Sequence, residues 1–166
     1  MRQSEKSNNR TSLNFAKNNK LMGLFDFHKS APKPDRNKAM LAAFKGKEAY
    51  DSRNFPDAAR YFSEYFEKKG YGNFPDLDAT DFRMYLNLMC AQLYARQYTE
   101  CLKTCQTLIR LDPNPSDAYA FSALCYYKLG NKKRANEFWE KAQKKGNQIA
   151  KSFDRLEDVK MQGFSD

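Results

Sequence analysis

Four cysteines, Cys90, Cys101, Cys105 and Cys125, are the side chains best suited to holding a metal ion or forming disulfides, since both need clustered thiols. Their spacing argues against both. No two form the C-x-x-C pair usual in zinc sites, no histidine lies near them, and the chain opens without a secretory leader. The thiols are therefore expected in a reducing compartment, free and mostly buried as small hydrophobes. The single histidine, His28, stands in a polar tail, so neither a catalytic triad nor a two-histidine metal cluster can be assembled around it. The paired acids Asp76 and Asp78, or Asp57 and Glu64, fall where helix caps and solvated faces account for them, and there is no glycine-rich phosphate loop. The sequence thus predicts no catalytic residues, no metal site and no cofactor. Function is left to surface.

The elements that present this surface follow from composition and periodicity. At 166 residues, with 41% hydrophobic residues including 13 Phe and 10 Tyr, the chain can build one core. No apolar run approaches the roughly 20 residues of a spanning helix, so a cytoplasmic location is expected. The net charge of +9 is unevenly spread: residues 1–38 carry nine Lys/Arg against three acids (Glu5, Asp26, Asp35), leaving 20 basic and 17 acidic residues for the remainder. That first segment, rich in Asn, Ser, Lys and Arg and ending in the proline-containing stretch 30–35, reads as a basic, largely flexible N-terminal arm. Within it the cluster Leu21, Met22, Leu24, Phe25 and Phe27 is apolar enough to dock. Met22 followed by Gly23 leaves two natural starts open, Met1 and Met22. Residues 1–20 also have the basic, nearly acid-free composition of an import leader, though with weak helical amphipathicity.

From Ala39 onward the apolar residues recur at helical spacing, and the pattern repeats. The clearest copy, residues 116–149, has Tyr119, Ala123 and Tyr126 on a first helix, a turn at Gly130, and Ala135, Trp139 and Ala142 on a second. Moving back 34 residues gives Tyr85, Met89 and Gln92, then Cys101, Cys105 and Leu108, with Pro113 closing the unit. Moving back a further 43 gives Ala42, Gly46 and Ala49, then Ala58, Phe62 and Tyr65; the nine extra residues fall between Phe62 and Tyr85, around the turn-forming stretch 70–76. A small residue at the close-approach point lets two helices near each other while an aromatic on the partner fills the space beside it, which sets Gly46 against Phe62 and Ala123 against Trp139. Residues 147–162, with Ile149, Phe153, Leu156 and Val159 on one stripe, are expected to form a helix capping the open end.

These residues resemble the tetratricopeptide repeat pattern, in which aromatic, small and aromatic residues mark the first helix and a small residue followed by an aromatic marks the second. The resemblance implies an all-α, right-handed α-solenoid of three helix-turn-helix repeats (about 39–72, 82–115 and 116–149) plus the C-terminal capping helix, the whole domain spanning 39–162. It also implies a concave groove lined by one face of each first helix, which receives a partner's peptide or helix. Carried through the register, that face holds Phe44, Lys47 and Tyr50, then Arg83, Asn87, Cys90 and Tyr94, then Phe121, Leu124, Tyr127 and Lys128. Aromatic anchors mixed with Lys and Arg suit a protein segment with apolar and acidic residues.

One subclass of the family clamps the terminal carboxylate of heat-shock chaperones with Lys and Asn on the first unit, Asn on the second, and Lys and Arg on the third. The matching positions here are Ala43 and Lys47, Asn87, and Asp117 and Phe121, so Asn87 alone agrees and chaperone-tail binding is not expected. The three-repeat chaperones of bacterial type III secretion share only architecture with this chain. The expected function is a protein-interaction adaptor or chaperone-like module that is not an enzyme. The alternative is binding of nucleic acid or an anionic membrane surface through the basic arm. The sequence sets no oligomeric state.

Overall fold

A computed structural model describes residues 34–70, 77–153 and 155–159. The arm with its cluster from Leu21 to Phe27, both candidate starts, His28 and the stretch 71–76 that holds Asp76 lie outside the described residues. Among the described residues seven α-helices follow in order: α1 (Arg36–Asp51), α2 (Phe55–Lys69), α3 (Ala79–Tyr94), α4 (Tyr98–Leu111), α5 (Ser116–Lys128), α6 (Lys132–Lys144) and α7 (Gln148–Ser152), then a 3-10 turn (Leu156–Asp158). No strand occurs among the described residues. The helices pair α1 with α2, α3 with α4 and α5 with α6, and each pair packs on the next as an all-α helical repeat solenoid.

The turns between paired helices are built alike, and the register shows it. Arg53, Arg96 and Gly130 stand 43 and 34 residues apart, and each sits in the left-handed region at φ 57°, 60° and 77°. In each turn the amide of the following residue donates back to a carbonyl five residues earlier: Asn54 to Ala49 (2.8 Å), Gln97 to Gln92 (2.8 Å) and Asn131 to Tyr126 (2.9 Å). The residue that closes one helix in this way opens the next. Asn54 accepts from the Asp57 amide (3.3 Å) and Asn131 from the Arg134 amide (3.2 Å), satisfying donors that the first helical turn leaves free. The link from α6 to α7 uses the same device, with Gly146 at φ 83° and Asn147 accepting from the Ala150 amide at 2.9 Å.

Close approach within each pair takes two forms. At Gly46 an added Cβ would lie 2.7 Å from Cδ1 and Cε1 of Phe62, so the ring occupies the space a side chain would need. Ala123 and Trp139 hold the same register positions in the third pair, and both are buried. In the second pair the sizes are exchanged: Met89 stands on the first helix and Cys105 on the second, Sδ to Sγ 3.3 Å apart, while Cys101 Sγ donates to the Met89 carbonyl (3.5 Å). Large against small is kept; which helix carries the large residue is not.

The link between the first and second pairs is spanned by a polar network. Asp81 is 1% exposed. Its carboxylate accepts from Tyr65 Oη (2.8 Å), the Asp78 amide (3.0 Å) and Lys69 Nζ, and Lys69 also reaches Asp78 (3.2 Å). The end of α2 is thus fastened to the start of α3, where Asp78 and Asp81 form a reciprocal capping box.

The C-terminal end differs from the single helix expected over 147–162. Helix α7 stops at Ser152, Phe153 is extended, and a 3-10 turn covers Leu156–Asp158; residues 154 and 160–162 lie outside the described residues. Gln143 Nε2 donates to the carbonyls of Ala150 (3.0 Å) and Phe153 (3.3 Å), supplying from a side chain the bond that a continuing helix would make with its own backbone. The apolar stripe still divides inside from outside in part. Leu156 is buried and Phe153 and Val159 pack on the core, whereas Ile149 faces solvent.

Candidate functional site

Helices α1 and α3 border a cavity of about 550 Å³. Its floor is apolar, from the buried Ala43, Phe62 and Met84, and Met40 and Phe44, 56% and 61% exposed, line its side. Polar groups complete the rim: Lys47, Asp51, Thr80, Arg83 and Asn87, with Tyr50 beside them. Five of the eleven residues that the register assigned to a groove, Phe44, Lys47, Tyr50, Arg83 and Asn87, therefore line one cavity.

The two cations at this rim are not equivalent. Lys47 Nζ pairs with Asp51 Oδ2 at 2.7 Å, one turn along α1, with both side chains largely exposed. Arg83 is exposed and makes no ion pair with any described residue. Uncompensated positive charge at the cavity thus rests on Arg83.

Tyr50, at the edge of the cavity, forms a half-buried group with Cys90 and Tyr94. The Tyr50 ring meets Phe55 at 5.4 Å and Tyr94 at 6.4 Å, both edge to face, and Phe55 stacks on Tyr94 at 4.8 Å. These tyrosines are held by one another and by the α1–α2 turn, so they shape the site more than they offer open faces to it. Burial, then the neighbouring Cys90 and Tyr94, pushes the Tyr50 hydroxyl up to about 12. Burial likewise pushes the Cys90 thiol up to about 11, against the lowering effect of its hydrogen bond with Tyr50. A thiol so disposed stays protonated and unreactive at neutral pH.

The third unit departs from the expected row. Phe121 and Leu124 are only 7% and 5% exposed and belong to the core, while Tyr127 and Lys128 are half-buried near the end of α5. None of the four lines the cavity. The register is not at fault, since Phe44, Asn87 and Phe121 are equivalent positions. Their surroundings differ: α1 packs chiefly on α2, whereas α5 lies among α3, α4 and α6. The same position is open at the start of the stack and enclosed further along it.

Sequence reasoning missed Met40, Asp51, Thr80 and Met84. Met40 lies one turn before Phe44 on the same face of α1, so its signal was an apolar residue at i−4 from an exposed aromatic. Of the chaperone-clamp positions, Asn87 reaches the cavity, Lys47 is paired and Phe121 is buried. Asp117 accepts from Asn147 Nδ2 at 2.7 Å, while burial raises its carboxyl. Cys101, Cys105 and Cys125 are buried free thiols; the first is held protonated by its hydrogen bonds with the other two and by burial. No cluster of three or more His, Cys, Asp or Glu among the described residues is arranged to hold a metal, and no described helix is long and apolar enough to cross a membrane.

No protein-family model matches the chain. A stretch of 99 residues, 60% of the chain, is 28% identical to the DnaJ homolog subfamily C member 7 homolog of Dictyostelium discoideum, and that match spans 17% of the relative's own length. Among solved structures, the fold is similar to the first TPR of Spaghetti (RPAP3) bound to an HSP90 peptide, SRMEEVD. The TM-score is 0.57 at 14% identity, over 72% of this chain and 88% of that one.

Proposed function

We propose that this chain, a tetratricopeptide-repeat protein, is a peptide-binding adaptor whose cavity between α1 and α3 receives a partner segment carrying a large apolar side chain next to an acidic residue. One observation carries the reading: the exposed Phe44 stands over an apolar floor beside Arg83, a cation with no ion-pair partner among the described residues. An apolar side chain of the ligand would fill the floor against Phe44, Met40 and Met84, and its carboxylate would meet the guanidinium of Arg83 and the amide of Asn87. The similarity to a repeat domain bound to the peptide SRMEEVD supports a peptide as ligand. The residues at the clamp positions favour an internal acidic and apolar segment over a free carboxyl terminus.

A test is to select binders for the full chain from a random displayed peptide library and to titrate the best, and the peptide SRMEEVD, calorimetrically. The selected peptides should share an acidic residue beside a large apolar one and bind more tightly than SRMEEVD. Phe44→Ala and Arg83→Glu should each weaken them about tenfold, a modest hot-spot effect. Selected peptides indifferent to both substitutions would remove the basis for the proposal.

A further inference from the structure

The excess of positive charge in the folded module is greatest in one segment. Residues 128–151 carry eight Lys/Arg and two acids, whereas the other described residues carry thirteen of each. This segment is α6 with its two flanks. Helix α6 buries Ala135, Trp139 and Ala142, and around the rest of its surface Lys132, Lys133, Arg134, Lys141, Lys144 and, just past its end, Lys145 are exposed to solvent. Lys151 continues this surface across the turn, its Nζ 3.6 Å from where a Cβ would stand on Gly146.

Folding alone does not account for this arrangement. Lys141 and Lys144 sit in the last turn of α6, where cations suit the helix dipole. Lys132, Lys133 and Arg134 sit in the first turn, where they oppose it. At the position equivalent to Arg134 the second helices of the other two units carry acids, Asp57 and Glu100, and α6 has none in its first turn. The third unit has inverted the charge that stabilises its own helix, and Glu137, 3.4 Å from Arg134, offsets only part of the inversion.

We infer that this outward face of α6 and α7 is a second binding surface, independent of the groove, that docks the phosphate backbone of a nucleic acid without reading its sequence. The cations run along a ridge of about 20 Å, the length of a 13-residue helix. They are strung along one helix and the turn after it, so they suit a stiff polyanion that can meet several of them at once. Phe138 is already engaged by Lys141, 4.8 Å above its ring, and by Tyr126 at 5.3 Å, so base stacking is not the basis of recognition. A lipid surface fits less well. The exposed large apolar residues nearby, Leu129 and Ile149, lie at opposite ends of α6 and make no common patch for insertion.

The experiment is fluorescence anisotropy of a labelled 20-base-pair DNA duplex with the full chain between 50 and 200 mM KCl. The parent should bind with affinity falling linearly on a log–log salt plot. Lys132→Glu with Lys133→Glu should lose at least tenfold at 100 mM and flatten the slope by roughly 1.8, the value for two phosphate contacts. The same variant should melt no lower than the parent, because acids in the first turn favour the helix. Lys103→Glu with Arg110→Glu, an equal charge change on exposed positions of α4, should stay within threefold of the parent, and Lys132→Gln with Lys133→Gln should lose less than the Glu pair. The inference is overturned if the parent does not bind, if the α4 pair loses as much, if the α6 pair loses nothing so that binding belongs to the arm, or if phosphatidylserine vesicles or polyglutamate are bound more tightly than DNA.

Discussion

The turn between α3 and α4 is the weakest copy of the module's repeated turn, and correcting it should stabilise the protein. Arg96 occupies the left-handed region at φ 60° where the third unit has Gly130, and Gln97 makes no side-chain bond at the N-cap where the first and third units have asparagine. The backbone is already in the form those residues favour, because the Gln97 amide donates to the Gln92 carbonyl at 2.8 Å as its counterparts do. Gln97→Asn should therefore add a capping bond worth about 1 kcal/mol. Arg96→Gly removes about 1–2 kcal/mol of left-handed strain, and the greater freedom of glycine in the unfolded chain takes back much of it, leaving about 0.5 kcal/mol. The double variant gains about 1.5 kcal/mol, which for a folded module of roughly 120 residues is a rise of about 6 °C in Tm. Thermal melts followed by circular dichroism at 222 nm, with urea titrations of both single variants, measure the two terms separately. If Gln97→Asn were neutral while Asn131→Ala were also neutral, the capping argument would fail for the whole series of turns.

Trp139→Ala should cost about 3–5 kcal/mol in a urea titration, since the side chain is 4% exposed, while Trp139→Phe, which keeps most of the volume, should cost far less. Asp81→Ala should cost about 3 kcal/mol by the same measurement, because it strands the Tyr65 hydroxyl and leaves the Lys69 ammonium with Asp78 as its remaining carboxylate near the α2–α3 link. The Asp78 carboxyl is held below its usual range, first by the Asp81 amide and then by Lys69. A depressed folded value gives stability that is present above the unfolded value near 3.9 and is lost as pH falls through the folded one. Tm measured from pH 6 to pH 2.5 should therefore fall less steeply in Asp78→Asn than in the parent.

The repeat architecture was legible because the constraint behind it is local and chemical. Two helices can approach closely only where one presents little side chain, so Gly46 and Ala123 marked their pairs from spacing alone, and Gly130 marked a turn. The middle unit was harder to read because Met89 and Cys105 satisfy the same volume requirement with the sizes exchanged, and Arg96 adopts a conformation for which arginine gives no signal. The cavity was legible in the first two units, where Phe44, Lys47, Arg83 and Asn87 share an open face. It was not legible in the third, because exposure depends on what packs around a helix; Phe121 and Leu124 have the register of groove residues and the neighbours of core residues. The end of α7 was misread for a related reason. A stripe at helical spacing fixes which residues turn inward, and the side chain of Gln143, remote in sequence, decides where the helix stops. Basicity likewise drew attention to the arm, since a charge summed over 39–166 hid the excess within 128–151, where eight Lys/Arg stand against two acids.

The central claim, that the cavity between α1 and α3 is where a peptide is held, is tested most directly by nuclear magnetic resonance of the full chain during titration with a selected acidic and apolar peptide. The account predicts that the largest backbone amide shifts fall in residues 40–51 and 80–94, with Phe44, Arg83 and Asn87 among them, and that they vanish in Phe44→Ala at equal peptide concentration. Shifts confined to residues 1–33, or to α5 and α6 with α1 and α3 unmoved, would contradict it.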